Sequence, residues 1–386
     1  MPASSQTGAV DPGPHSGNVD LSLTASYDYE LPDGLIARYP AERRDGSRLL
    51  VVPRMDVAAG GSGSVAPVRH LGFPDLAGLL EPGDLLVLNE SRVLPFRLLG
   101  RKPTGAPAEI LLLRPARVGG PASGDDPLLW EALVRPGSKL KPGRRVRVSP
   151  QLEVAILDGL DGGGRLVRLE TALPLEEALD RFGAVPLPPY LEREEEPLDR
   201  ERYQTVFARE PGSVAAPTAG LHFTSELLER IAAEGVGIAR VVLHVGPGTF
   251  RPVESEEIGA HEMHGEFWEV PPEAAEAVAR TREGGGRVWA VGTTVVRTLE
   301  SAAAPGGELR AGRGETRLFI SPGYRFRVVD ALVTNFHLPR STLLMLVSAL
   351  AGHANVMAAY RAAIEERYRF YSYGDAMAVL PRPEPA

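Results

Sequence analysis

Two patterns of hydrophobic and polar positions divide the chain. Between residues 92 and 170, short apolar or alternating runs are separated by turn signals such as Pro136-Gly137, Pro142-Gly143 and Gly162–Gly164. Short strands with no helix between them are typical of a small antiparallel β-barrel or sandwich. We predict six strands in this stretch: Val93–Gly100, Ala108–Leu113, Leu129–Val134, Arg145–Val148, Leu152–Leu157 and Arg165–Leu169.

From about residue 171 onwards, helical and strand patterns alternate instead. Thr224 can cap an amphipathic helix, and Asn355 can cap another. Val236–Val245 and Val288–Val291 have the pattern of buried strands, and Leu343–Leu350 is apolar on every side, as in a buried helix. This alternation predicts an α/β main domain of layered helices and mostly buried strands.

The two patterns together predict a discontinuous domain organisation. Residues 27–91 plus 171–386 are assigned to the α/β catalytic domain, and residues 92–170 to an inserted antiparallel β-barrel domain. Residues 1–26 are rich in Ser, Gly, Pro and Asp and show no periodicity, so we expect a disordered N-terminal extension.

The composition excludes several kinds of chemistry. The 386 residues contain no cysteine, which excludes disulfides, thiolate zinc sites, cysteine nucleophiles and cysteine-held iron–sulfur clusters. The net charge of −8 argues against a general nucleic-acid coat but allows a local basic face. The N-terminus lacks the pattern of a signal peptide, and Leu343–Leu350 is too short to span a bilayer. We therefore expect a cytoplasmic protein with no membrane partner.

Candidate site residues lie in loops that follow predicted strands. In Ala216–Thr224, Pro217 and Gly220 set a turn that leaves Thr218 and His222 to face a ligand. The alternative is that Thr218 caps locally and His222 is a satisfied core histidine. His244 directly follows a buried strand and begins H-V-G-P-G-T-F, whose glycines either admit a ligand close to the backbone or form a tight turn.

The segment H-E-M-H-G-E brings together His261, His264 and Glu266. Two histidines and two carboxylates suggest a metal site, but the H-E-x-x-H zinc motif needs histidine at 265, where Gly265 stands. We expect no metal here. Imidazole and carboxylate groups suit proton transfer near neutral pH, so His261, His264 and Glu266 are candidate acids or bases, with His222.

A strand, a glycine and two threonines at a helix start expose several N–H groups in V-G-T-T-V-V-R. Such an arrangement suits an anion or ribose hydroxyls and makes Thr293, Thr294 and Arg297 candidate substrate contacts. The alternative is ordinary capping by Thr294, with Arg297 in a surface ion pair.

Polar residues also precede the buried helix, in T-N-F-H-L-P-R-S-T. Asn335, His337 and Arg340 there need partners if they are buried, and a ligand could supply them. The later segment Tyr368–Ala376 holds Asp375, a further candidate substrate contact, and aromatic rings that could stack on a base or face a sulfonium cation.

One stretch of the predicted barrel is strongly basic. Residues 135–147, R-P-G-S-K-L-K-P-G-R-R-V-R, hold six positive charges and no acidic residue, and two of the three lysines of the chain. We predict that Lys139, Lys141, Arg144 and Arg145 contact RNA phosphates, since phosphate contacts supply much of the affinity for nucleic acid. A solvated hairpin is the alternative.

Taken in order, these segments closely resemble the S-adenosylmethionine:tRNA ribosyltransferase-isomerase family of queuosine biosynthesis. The resemblance covers almost everything after residue 26, and the run Asp330–Ser348 is specific by itself. It rests on Tyr27–Pro40, Arg43–Leu50, Leu88–Arg92, Leu187–Tyr190, Tyr203–Val206, the segments above and Tyr373–Met377. Departures are few: the family usually has Asn or Asp at Glu90 and Ser at Gly265 and Val295, so positions 265 and 295 have no hydroxyl-dependent role in this chain.

The resemblance implies an activity and its participants. S-adenosylmethionine, as cosubstrate, would supply its ribosyl group to the aminomethyl group of a 7-deazaguanine at the tRNA wobble position, giving epoxyqueuosine and releasing adenine and methionine. It implies no metal or organic cofactor and an α/β domain with an inserted antiparallel barrel. We expect a monomer. A metal-dependent hydrolase built on His261, His264 and Glu266 and a non-catalytic tRNA-binding relative are the alternatives.

Overall fold

The computed structural model describes residues 19–54, 67–116, 126–246, 248 and 252–381. In chain order, the strands are β1 (Arg48–Pro53), β2 (Arg69–Gly72), β3 (Leu85–Asn89), β4 (Ser91–Val93), β5 (Arg97–Arg101), β6 (Pro107–Pro115), β7 (Leu129–Arg135), β8 (Arg145–Ser149), β9 (Leu152–Gly159), β10 (Arg165–Glu170), β11 (Gly183–Ala184), β12 (Glu210–Ser213), β13 (Gly237–Leu243), β14 (Glu266–Val270), β15 (Val288–Val291), β16 (Gly312–Thr316), β17 (Ala331–Asn335) and β18 (Ala376–Leu380). The α-helices are α1 (Leu175–Phe182), α2 (Pro197–Arg202), α3 (Ser225–Ala233), α4 (Pro272–Glu283), α5 (Thr293–Ala302), α6 (Thr342–Ala351) and α7 (His353–Glu365).

Within the described residues, nine strands form a mixed central sheet in the order β16-β14-β13-β3-β15-β17-β18-β1-β2. The middle strands β13, β3, β15 and β17 are parallel to one another. β18 runs antiparallel to β17, and β1 is parallel to β18. The carboxyl ends of four strands and the amino ends of β18 and β1 therefore meet at one edge of the sheet.

Helices cover both faces of this sheet. β3, β15 and β17 are buried along their whole lengths, as expected for parallel strands with both faces covered. Apolar side chains of α4 to α7 pack on one face, and those of α3 and the 3₁₀ segment Phe73–Leu79 pack on the other. This layering confirms the predicted α/β architecture.

The second large sheet is the predicted antiparallel barrel. Its strands follow the order β5-β6-β7-β10-β9-β8, and a pairing of Arg101 with Arg147 joins β8 back to β5. Alternate residues such as Leu98, Ile110 and Val154 point into a separate apolar core. The six barrel strands run from Arg97 to Glu170, and β11 adds a short pairing with β5. The limits of the two domains stay predictions.

Two of the predicted elements differ from the structure. The strand predicted at Val93–Gly100 is interrupted at Pro95, which lacks a backbone donor: β4 pairs with β12 in a separate two-stranded sheet, and only β5 joins the barrel. The cap predicted at Asn355 is wrong, because α7 begins at His353 and the Asn355 side chain donates to the Pro53 carbonyl. The cap predicted at Thr224 is confirmed, since its hydroxyl accepts from the Leu227 N–H.

The end of the predicted N-terminal extension is ordered. Thr24–Tyr27 form a 3₁₀ turn, Thr24 is buried, and its hydroxyl donates to the Ser255 carbonyl at 2.7 Å. The prediction of disorder is therefore wrong for residues 20–26, because tertiary contacts supply partners that the local sequence does not reveal. Residues 1–18 lie outside the described residues.

No single helix in the described ranges is long and apolar enough to cross a membrane. Only together do α6 and α7 have the length and apolar composition of a membrane-spanning helix, and they are bent by 113° relative to each other.

Candidate active site

Polar residues collect at the edge of the sheet where the parallel strands end. Asn89 ends β3, His244 follows β13, Thr293 follows β15, and Asn335 ends β17. Gly292 turns the chain from β15 into α5 with φ of 93°, a conformation that favours glycine. Open α/β sheets bind ligands outside the carboxyl ends of their strands, so this edge is the expected place for a site.

A cleft opens at this edge and is called the edge cleft below; together with the solvent at its mouth it encloses about 540 Å³. It brings together five of the predicted substrate contacts from three different segments: Thr218, Thr293, Thr294, Asn335 and His337. The first turn of α5 leaves backbone N–H groups without intrahelical partners, and these face the same edge.

A second pocket adjoins the edge cleft, because Leu343 lines both; together with the solvent at its mouth this pocket encloses about 1060 Å³. It is called the histidine pocket below, and His261 and His264 in its wall are called the histidine pair. Burial, and then the neighbouring His264, lower the pKa of His261 below the ordinary value. His261 is therefore neutral near pH 7 and can accept a proton.

Glu266 and Arg297, also in the wall of the histidine pocket, form a buried ion pair. The second oxygen of Glu266 accepts from the Gly246 N–H at 3.0 Å, and the Arg297 Nε donates to the Leu318 carbonyl at 3.1 Å. Arg297 thus holds a carboxylate of the protein itself, and Glu266 is a paired anion. The surface ion pair considered for Arg297 is wrong, since both side chains are buried.

His222 lies behind the edge cleft rather than in its lining. Both of its ring nitrogens are bonded, Nδ1 to the Ser47 hydroxyl at 2.8 Å and Nε2 to the Asn335 amide at 3.0 Å. Burial, and then Arg369, lower its pKa to about 4. His222 is therefore a satisfied core histidine, and its predicted role as acid or base does not fit this geometry.

His337 is held rigidly at the edge cleft. Its Nε2 lies 2.8 Å from the Thr334 hydroxyl, and its backbone N–H donates to the Tyr360 hydroxyl at 2.8 Å. Burial lowers the pKa of His337 to about 3, so its ring is neutral at ordinary pH.

Three predicted substrate contacts line neither pocket. His244 stacks on Phe267 with ring centroids 5.6 Å apart, on the other side of its loop. The buried Asp375 accepts from the backbone N–H groups of Arg48 and Arg369, so it joins β1 to β18 instead of binding a ligand. The Arg340 backbone pairs with Tyr27 and Val253.

Some residues of the site escaped the sequence analysis. Tyr190, Tyr371 and Ser372 line the edge cleft, and the Tyr190 and Ser372 hydroxyls are hydrogen-bonded to each other. The segment Tyr368–Ala376 was noted for its aromatic rings, but nothing local singled out Tyr371. Asn89 was not proposed as a site residue, yet its amide donates to the Leu243 carbonyl at 3.0 Å and to the Thr294 hydroxyl at 3.3 Å, which ties β13 to the start of α5.

The two departures from the family pattern in the described loops have structural counterparts. A side chain at Gly265 would collide with the Glu315 carboxylate, which lies 1.9 Å from an ideal Cβ there. The Glu90 carboxylate lies 3.7 Å from the Arg240 guanidinium, and burial raises its pKa. Among the residues that the structure describes, no group of three or more His, Cys, Asp or Glu could hold a metal ion.

The predicted basic contacts lie on the barrel, in the loop 136–144 and at the start of β8; the loop is called the basic loop below. Lys139, Lys141 and Arg144 are exposed and form no ion pair among the described residues. Arg145 differs, because Glu153 and Glu170 both pair with it. Its charge is thus largely compensated, and three of the four predicted cations remain free for a phosphate backbone.

Comparisons with known proteins show which family this chain is similar to. A family model described as "Queuosine biosynthesis protein" matches residues 24–379. The S-adenosylmethionine:tRNA ribosyltransferase-isomerase of Symbiobacterium thermophilum is 55% identical over 359 residues, which cover 92% of this chain and 99% of that protein. The enzyme of the same name from Syntrophomonas wolfei is 52% identical over 369 residues, covering 95% of this chain and 99% of that protein.

A solved structure is similar as well. The crystal structure of S-adenosylmethionine tRNA ribosyltransferase from Thermotoga maritima is 41% identical, covers 92% of this chain and 100% of that chain, and superposes with a TM-score of 0.50. The chain therefore belongs to the queuosine biosynthesis protein family, whose curated relatives are named S-adenosylmethionine:tRNA ribosyltransferase-isomerases.

Proposed function

We propose that this protein transfers and isomerises the ribosyl group of S-adenosylmethionine onto the aminomethyl-deazaguanine at the tRNA wobble position. The products are epoxyqueuosine in tRNA, adenine and methionine. The observation that carries the proposal is the joined pair of pockets at the carboxyl edge of the sheet, in a chain that matches the family over residues 24–379.

The edge cleft has the groups that a nucleoside sulfonium needs. The Thr218, Thr293 and Thr294 side chains can bond ribose hydroxyls, and the first turn of α5 favours the methionine carboxylate. The face of Tyr371 suits a base or a sulfonium cation. In this assignment Arg297 does not bind the carboxylate, because Glu266 already occupies its guanidinium.

The histidine pocket supplies the proton transfers. A sulfonium acidifies the carbon beside it, so a neutral imidazole placed there can take the first proton. The lowered pKa of His261 keeps it in the form that can act as this base, and His264 is its neighbour. Adenine then leaves with a proton or hydrogen bond from a nearby donor. Glu266 has a positioning role, because its carboxylate accepts from the Gly246 N–H and pairs with Arg297.

The sulfonium is both the activating group and, as methionine, a leaving group, so we propose that no further cofactor takes part. We also propose that the protein acts as a monomer. We propose that the reaction takes place in the cytoplasm and that the basic loop is the tRNA contact.

The test uses purified protein, S-adenosylmethionine and tRNA that carries the aminomethyl-deazaguanine. Release of adenine, together with the mass of epoxyqueuosine in the digested tRNA, is the expected result. Activity after exhaustive chelation should be unchanged. Loss of activity that returns with a metal ion would favour the hydrolase alternative, and tRNA binding without adenine release would favour a non-catalytic relative.

A further inference from the structure

The edge cleft contains a buried acceptor that nothing in the described protein satisfies. The Asn335 side chain is 3% exposed, and its Oδ1 has no hydrogen-bond partner. Among the described residues that line this cleft, Asn335 is the one with a buried side-chain polar atom that has no hydrogen-bond partner. An unsatisfied buried acceptor costs about 1–3 kcal/mol, so an incoming donor gains by pairing with it.

The orientation of this amide is fixed from two sides. Asn335 Nδ2 donates to the Tyr371 carbonyl at 3.2 Å and to His222 Nε2 at 3.0 Å. Because a carbonyl can only accept, the nitrogen must face Tyr371, and the oxygen is the atom of this cleft-lining side chain that is left buried without a partner among the described residues.

His222 completes this arrangement through its tautomer. Since Nε2 accepts from Asn335, the proton must be on Nδ1, from which it is donated to the Ser47 hydroxyl at 2.8 Å. The ring packs against Phe73, with centroids 4.9 Å apart. His222 therefore prevents a flip of the Asn335 amide that would exchange the positions of its oxygen and nitrogen.

We infer that Asn335 Oδ1 accepts a hydrogen bond from a ring N–H or amino group of a purine-type base in the edge cleft, with His222 as the residue that positions it. The aromatic residues Tyr190 and Tyr371 line the cleft beside Asn335, and their rings suit a flat heteroaromatic ligand. Thr218, Thr293 and Thr294, together with the start of α5, are then available to bind the sugar. The inference rests on the proposed function, which supplies two such bases.

Those two bases are the adenine of the cosubstrate, through its 6-amino group, and the deazaguanine of the acceptor, through its ring N–H and 2-amino group. Dissociation constants distinguish them. One arm compares S-adenosylmethionine with its analogue that carries hydrogen in place of the 6-amino group. The other arm compares anticodon stem-loops whose deazaguanine has or lacks the 2-amino group.

In one of these two comparisons, wild-type protein should bind the ligand that has the amino group about tenfold more tightly than the ligand that lacks it. Asn335→Ala should reduce this ratio of dissociation constants to near one. Equal binding of both ligands by wild type in both arms, or ratios unchanged by Asn335→Ala, would overturn the inference. His222→Ala should lower the ratio. His222→Gln should restore it, because a glutamine oxygen can accept from Asn335 Nδ2.

Asn355→Ala is the matched control. Asn355 is also buried, but it bonds Pro53 at the opposite edge of the sheet, so its loss should lower stability and leave the ratio intact. An equal fall in the ratio there would attribute the effect to packing and overturn the inference. If wild-type protein releases adenine but the ratio of dissociation constants does not change in Asn335→Ala, the inference is wrong and the proposed function stands. If the ratio depends on Asn335 but no adenine is released, the proposed function is wrong and the inference stands.

Discussion

The buried ion pair of Glu266 with Arg297 offers a direct test of which residues support the site and which react. Their side chains are 6% and 7% exposed, so little solvent screens either charge. Removing one partner of a buried pair leaves the other charge uncompensated and typically costs about 3–5 kcal/mol. We expect Glu266→Gln and Arg297→Met each to lower the free energy of unfolding by about 3 kcal/mol.

The assay is a double-mutant cycle in urea. Trp268, in the same strand as Glu266, gives a fluorescence signal from this region. The double variant, Glu266→Gln with Arg297→Met, carries no buried charge, so its loss should be smaller than the sum of the single losses by about 2 kcal/mol or more. Strictly additive losses would refute the claim that the two charges stabilise each other.

Adenine release by the same proteins separates support from chemistry. If Glu266 only holds Arg297 and the Gly246 loop, the folded double variant should regain much of the activity that either single variant loses. If the double variant folds and stays as inactive as Glu266→Gln, Glu266 takes part in proton transfer. That outcome would restore its role as acid or base and refute the supporting one.

Three further predictions concern pH, tRNA and proton transfer. The folded pKa values of His222 (about 4) and His337 (about 3) lie below the ordinary value. Between pH 6.5 and 5 mainly the unfolded chain takes up these protons, so the free energy of unfolding should fall by about 1 kcal/mol per pH unit for each histidine, and the effect should fade to nearly nothing above about pH 7.5. Lys139→Glu with Lys141→Glu should weaken tRNA binding, and flatten its salt dependence, because fewer counterions are released. Alanine at either member of the histidine pair should slow adenine release by about 10²-fold or more, at nearly unchanged S-adenosylmethionine affinity.

Each of these predictions has a control. His222→Gln should reduce the pH dependence of the free energy of unfolding by about 1 kcal/mol per pH unit. An unchanged pH dependence would mean that His222 has the same pKa in the folded and the unfolded chain. Arg361→Glu, on α7 away from the barrel, should leave tRNA binding nearly unchanged. If it weakens binding as much as the lysine changes, the basic loop is not a specific contact. Normal adenine release by both alanine variants would remove the imidazole base from the mechanism.

The sequence predicted the architecture well because its signals are local. Period-two runs between turns indicate the barrel, and apolar runs alternating with capped helices indicate the covered sheet. The same reasoning predicted that polar residues after parallel strands meet at one edge, and Thr218, Thr293, Thr294, Asn335 and His337 do line one cleft there. Their roles as substrate contacts stay predictions. The split of the predicted strand at Pro95 depended on pairing with β12, more than a hundred residues later.

Residue type and position alone thus determined the layers, the edge and part of the cleft lining. Only the tertiary structure decided which polar groups remain free for a ligand. Glu266 is paired by Arg297, Asp375 by the backbone of Arg48, and His222 by Ser47 and Asn335. Those partners lie between 31 and 327 residues away along the chain. The physical reason is that a buried polar group must be satisfied, and the partner that satisfies it is set by packing rather than by its own sequence neighbours.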